Sequence, residues 1–184
     1  MRRLLIASLC APLMLQPALS TPLLAQVSDF DGALDAQTPG QLIEALYRMV
    51  SFDAGPEPDW EMFRDVFLEG AVLVVAPRGE QPMRVMDVDG FIQDWRDFFA
   101  DAELETKGFY EDIASLQLTE FGGLAHAFVV FYPRLGTESE ASTRGLDSIE
   151  LSHDGQRWWI AAITTEFEGP GRIIPESFLR DPGG

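Results

Sequence analysis

The sequence holds a single cysteine, Cys10, and only two histidines, His126 and His153. One cysteine cannot close an intramolecular disulfide, so the fold must rest on its core. Two histidines far apart in the chain, with no HExxH pattern and no calcium-loop pattern, give no metal signature. There is no glycine-rich phosphate loop and no G-x-S-x-G nucleophile elbow, so the sequence calls for no metal and no cofactor. Basic residues are also few, 13 Lys and Arg against 30 Asp and Glu, for a formal net charge of −17. That charge repels phosphate backbones and anionic headgroups, which argues against nucleic acid as a partner. Its plainest use is solubility.

The first 25 residues stand apart. Arg2 and Arg3 precede an apolar stretch, Leu4 to Leu15, interrupted by Ser8, Cys10 and Pro12, and small residues and prolines follow. This is the pattern of a secretory signal, with Ser20 or Ala25 as cleavage points. The stretch is short for a permanent membrane span. The expectation is a cleaved signal over 1–25 and a periplasmic or secreted protein that is off the membrane once cleaved, with a retained anchor as the alternative. Too few apolar residues precede Cys10 for lipidation there.

After a lead-in over 26–37, the remaining length suits one domain. Thr38-Pro39-Gly40-Gln41 opens a helix with a capping box and proline in the first turn. Leu42, Ile43, Leu46, Tyr47 and Val50 then fall on one helical face, until Ala54-Gly55-Pro56 stops it. Asp59 caps a second helix through Trp60, Phe63 and Phe67, expected to end at Glu69-Gly70. Ala71 to Ala76 is a fully apolar β-run, with a return strand over Met83–Met86. Asp87 caps a third helix, along which Phe91, Trp95, Phe98 and Ala102 share a side. Four long β-runs follow: Phe109–Glu120, Leu124–Tyr132, Arg144–Ser152 and Arg157–Phe167. Phe121-Gly122-Gly123 and His153-Asp154-Gly155-Gln156 make hairpin turns. Helices followed by a meander of antiparallel strands is an α+β signature. The domain spans 38–167 and a tail spans 168–184.

These residues resemble the nuclear transport factor 2-like superfamily, also known through its SnoaL-like and ketosteroid isomerase-like branches. The resemblance rests on Trp60 to Phe67 leading into Ala71-Val72-Leu73-Val74-Val75 and on Val88-Asp89-Gly90-Phe91 ahead of an aromatic run. The hairpin from Ser148-Ile149-Glu150-Leu151 to Arg157-Trp158-Trp159-Ile160 belongs to it too. Gly108-Phe109-Tyr110-Glu111, Ala125-His126-Ala127-Phe128 and Arg144-Gly145-Leu146-Asp147-Ser148-Ile149 are similar to exported bacterial members of no defined activity. The resemblance implies a cone: a curved antiparallel or mixed sheet wrapped around three N-terminal helices, with a pocket at its mouth and often a homodimer through its outer face. It also implies no single chemistry, since the superfamily holds isomerases, dehydratases, epoxide hydrolases, cyclases and binding domains. Isomerases of this kind place an aspartate near the end of the first strand. Here that stretch reads Val74-Val75-Ala76-Pro77-Arg78, without a carboxylate. The dehydratase type needs paired histidines, and His153 falls in a turn.

Within the expected pocket, His126 is the first candidate. Alternation puts Leu124, His126, Phe128, Val130 and Tyr132 on one side of their strand, and a histidine among apolar residues is either a base or a buried, hydrogen-bonded imidazole. Simple register about the Gly122-Gly123 hairpin puts His126 near Thr119 and Glu111 near Arg134, so their meeting requires a bulge. Glu111, at the start of its strand, is the second catalytic candidate, or else pairs with a cation at the mouth. Tyr47 is the third: its hydroxyl either donates to an oxyanion or tips a core aromatic. Arg144 either holds an acidic ligand or pairs with Glu111, Glu166 or Asp147. Ser148 and Glu166 join that polar patch if their faces match, and Trp95 supplies an aromatic wall. Adjacent Trp158 and Trp159 must face opposite sides.

The expected function is an exported domain that binds a small hydrophobic molecule or serves as an accessory. A cofactor-free isomerase, lyase or hydrolase using His126 with Glu111 or Tyr47 is the alternative. A protein-interaction module is a third class, which would carry its apolar patch outside the cone.

Overall fold

The protein's structure, a computed structural model, describes residues 36–136 and 143–180. The proposed signal, all of the lead-in but its last two residues, the loop 137–142 and the last four residues lie outside them. Among the described residues no helix is long and apolar enough to cross a membrane.

Thr38 caps α1 (Pro39–Met49) as its sequence suggests. Its hydroxyl accepts from the Gln41 amide at 3.2 Å, and the Gln41 side chain accepts from the Thr38 amide at 3.2 Å. Asp59 caps α2 (Trp60–Arg64) and Asp87 caps α3 (Val88–Asp101), each accepting from amides of the first turn. α2 is shorter than its aromatic spacing indicates. It ends at Arg64, and β1 (Phe67–Val75) begins before Gly70. The reason is tertiary: the Val66 carbonyl accepts from the Ile160 amide at 2.9 Å, which draws this stretch into the sheet. A fourth helix, α4 (Leu104–Lys107), adds a turn ahead of Gly108 that periodicity does not reveal.

The remaining strands are β2 (Arg84–Met86), β3 (Phe109–Phe121), β4 (Leu124–Leu135), β5 (Gly145–His153) and β6 (Trp158–Phe167). They form one six-stranded sheet in the order β2-β1-β6-β5-β4-β3. β1 runs parallel to β6, and the other pairs are antiparallel. The fold is thus α+β with a mixed open sheet. Its core joins Leu42, Ile43 and Leu46 of α1, Phe63 of α2 and Ile92 of α3 to the inward residues of the strands.

Two bulges decide which residues face inward. On β3, Ile113 pairs with Phe131 and Ser115 with Val130, so Ala114 is unpaired. On β6, Ala162 pairs with Glu150 and Ile160 with Leu151, so Ala161 is unpaired. Each extra residue reverses the alternation beyond it. On β6 the buried set shifts from Trp158 and Ile160 to Ile163.

The tail returns across the outer face of the sheet. Ile174 is buried, while Ile173 is 73% exposed. Phe178, on a short 3-10 turn (Glu176–Phe178), packs edge-on against Phe128 with centroids 5.0 Å apart.

Candidate functional site

The helices do not fill the space in front of the sheet. Between α1, α3 and the ends of β3 to β6 lies a hollow of about 720 Å³, the size of an ordinary small-molecule site. Its aromatic wall comes from α3 and the strands facing it. Phe91, Trp95 and Phe98 recur at helical spacing, and Trp95 meets Phe109 edge-on at 5.0 Å. Phe131 lies edge-on to Tyr47 at 5.6 Å and to Phe167 at 5.9 Å.

Phe131 owes its place to Gly145. A Cβ on Gly145 would stand 2.1 Å from the Phe131 ring, so the strand opposite must carry glycine there. The end of α1 is fastened to the start of β3 in the same region. Phe52 and Phe109 exchange backbone hydrogen bonds of 2.7 and 2.9 Å. The Ser51 hydroxyl donates to the Tyr47 carbonyl at 2.7 Å and accepts from the Glu111 amide at 2.9 Å. One serine thereby sets the positions of two lining residues, Tyr47 and Glu111.

The polar floor of the hollow is Tyr47, Glu111, Asp147 and Thr165. Asp147 pairs with Thr165 across β5 and β6, and shares its face with the buried Gly145 and Ile149. It is 7% exposed. The Tyr47 hydroxyl donates to Asp147 Oδ2 at 2.7 Å, whereas Asp147 Oδ1 has no hydrogen-bond partner. Removal from water pushes the Asp147 carboxyl up from 3.8 to about 6, against the Tyr47 and then the Thr165 hydroxyl, which favour the anion. Glu111 keeps partial surface exposure, but the walls around it hold its carboxyl well above the usual range, and the charge of Asp147 adds to the effect. Tyr47 is raised as well, by burial first and then by Asp147 and Glu111, and stays a hydrogen-bond donor. At the mouth stand Arg78, Arg84, Asp94, Asp97 and Asp101. Arg84 pairs with Asp94. Arg78 lies over the Phe167 ring, 4.7 Å from its centroid.

Tyr47, Glu111 and Trp95 therefore line one hollow, and the other sequence candidates do not join them. His126 projects from the opposite face of β4. Its Nε2 lies 2.9 Å from the Ser148 hydroxyl, and its ring meets Phe128 edge-on at 4.7 Å. The inward face of β4 is the side of Ala125, Ala127, Val129 and Phe131. Small side chains there let the core pack closely, so the bulkier, apolar-looking side is the outer one. Ser148 shares that outer face.

Arg144 does not pair with Glu111, Glu166 or Asp147. It forks onto Glu168, with contacts of 2.9 and 2.6 Å. Glu166 is turned outward by the Ala161 bulge and pairs with Arg172 at 3.2 Å. His153 ends β5, and its Nδ1 accepts from the Gly155 amide at 3.0 Å. Trp158 is buried, while Trp159 lies on the other side, with its Nε1 donating to Asp154 at 2.8 Å.

Asp147 is not among the candidates that the sequence singles out for the pocket. The mark it leaves in the sequence is its alternation with Ile149 and Leu151 on one side of β5, which stands an aspartate in line with core residues.

No protein-family model matches the sequence, and neither does any curated protein. Solved structures do match in shape. A nuclear transport factor 2-like protein of unknown function from Pseudomonas putida KT2440 is 15% identical, with a TM-score of 0.54 over 71% of this chain and 83% of that one. A protein of unknown function with a cystatin-like fold from Nostoc punctiforme PCC 73102 is 11% identical, with a TM-score of 0.52 over 71% and 93%. A nuclear transport factor 2-like protein with a cystatin-like fold from Novosphingobium aromaticivorans is 13% identical, with a TM-score of 0.52 over 68% and 76%.

Proposed function

From its nuclear transport factor 2-like fold and the hollow in front of its sheet, we propose that this chain is a small-molecule-binding domain, exported by its N-terminal segment. The observation that carries the reading is the hollow itself. It is about 720 Å³, walled by aromatic rings and floored by one cluster of polar groups. An apolar body fits the wall, and a few fixed polar groups orient it. Export draws its support from Arg2, Arg3 and the apolar stretch that follows, and self-association from the fold's habit of pairing through the outer sheet face.

The test is binding of 2-naphthol, a neutral aromatic, followed by NMR. The expected result is one saturable site that moves the Trp95 indole N–H and the Ile163 methyl resonances. Shifts that never saturate, or that gather around Phe128 on the outer face, would dismiss the reading.

Cofactor-free acid–base catalysis is the second reading, and Asp147 favours it. A carboxyl held at about 6 on the lining of the hollow is near the working pH of a general base. Asp147 would take a proton from the substrate, with Tyr47 donating to the same carboxylate and Glu111 beside it on the lining. His126 takes no part in this scheme, since it lies across the sheet.

A further inference from the structure

We infer that the hollow is built for a ligand carrying a protonated amine on a small aromatic or apolar body, with the ammonium seated beside the carboxyl groups of Glu111 and Asp147. This rests on the small-molecule reading and names the ligand class. Asp147 is buried on the lining of the hollow; hydroxyl groups donate to its carboxylate, and among the described residues no cation pairs with it. A buried charge without a counter-charge is costly. Glu111 shares the floor and is repelled by Asp147. The cations among the lining residues, Arg78 and Arg84, are at the mouth. Arg84 is paired with Asp94, and Arg78 is stacked on Phe167.

Two acids at the floor and three aspartates at the mouth stand against those two arginines. The lining is thus net acidic, in a chain of net charge −17. Trp95, Phe91 and Phe98 add ring faces on the route inward, and such faces attract ammonium groups once water is excluded. An anionic ligand would meet the unpaired carboxylate directly. A neutral alcohol could donate to a carboxyl group but would leave the charge uncompensated.

The experiment compares three matched probes, 2-phenylethylamine, 2-phenylethanol and phenylacetate, by the same NMR shifts at pH 7.5 and about 0.15 M salt, where diffuse surface attraction is screened. The amine is expected to bind at least about tenfold tighter than the alcohol, with phenylacetate weakest. Asp147→Asn should erase the advantage of the amine while the alcohol still binds. On the unsubstituted protein, lowering the pH from 7.5 to 5 should weaken the amine and spare the alcohol, because Asp147 takes up a proton. The groups facing Asp147 in that range are Tyr47 on α1 and Glu111 on β3, both raised, with the uncharged Thr165 on β6. Asp94, Asp97 and Asp101 on α3 and the two arginines stand farther out, at the mouth. Equal affinity for amine and alcohol, tighter phenylacetate, or an amine advantage that survives Asp147→Asn rejects the inference and leaves the small-molecule reading intact. Failure of all three probes and of 2-naphthol rejects both.

Discussion

Asp147 works against the stability of the folded chain at neutral pH. Its carboxyl ionises at about 6 in the fold and near 3.8 outside it. A raised acid binds its proton more tightly when folded, so stability falls as pH rises from about 4 to about 6. The full shift corresponds to about 3 kcal/mol at pH 7. Asp147→Asn removes the ionisation but keeps an acceptor for the Tyr47 hydroxyl, and leaves its own amide unpartnered. We therefore expect the variant to be about 1–3 kcal/mol more stable at pH 7 and no more stable at pH 4. Urea unfolding at the two pH values measures this, and a variant less stable at pH 7 than the parent would contradict it.

At the scale of elements, the Phe131 ring on the lining of the hollow has its place because β5 carries a glycine opposite it on β4. Gly145→Ala drives a methyl into the Phe131 ring. Overpacking of this kind costs about 1–3 kcal/mol, and Phe131 has Tyr47 and Phe167 against it. A thermal melt should show the loss, and Phe131→Leu in the same chain should recover most of it. Two losses that simply add would mean that the ring and the glycine are not coupled. The bulges act at this scale too. Were Ala161 paired in a regular ladder, Glu166 would face the hollow and Thr165 would face out, which would remove the neighbour of Asp147 and seat a third carboxylate there.

Across the whole molecule, 30 acidic residues against 13 basic ones leave a net repulsion. The ion pairs are mostly exposed, as in Arg180–Glu176 at 75% and 82%, and such pairs contribute little. Screening should therefore relieve more repulsion than attraction. Raising sodium chloride from about 0.02 M to about 0.5 M is expected to raise the melting midpoint by a few degrees. A midpoint that falls with salt would show that the ion pairs outweigh the repulsion.

Much of this fold is written in short stretches of sequence. Thr38, Asp59 and Asp87 start their helices, Gly122-Gly123 turns its hairpin, and the α+β order of elements follows, because caps and turns are decided by contacts within a few residues. Tyr47, Glu111 and Trp95 could be singled out on the same basis. The composition of the hollow could not. Which side of β4 faces inward, and hence the exclusion of His126, depends on how closely the core packs against Ala125 and Ala127. Which residues of β3 and β6 reach the floor depends on one unpaired alanine in each. The partner of Arg144 depends on where the tail leaves the sheet. Alternation along a strand defines two faces but carries no sign, and only packing against elements distant in the chain assigns one face to the interior.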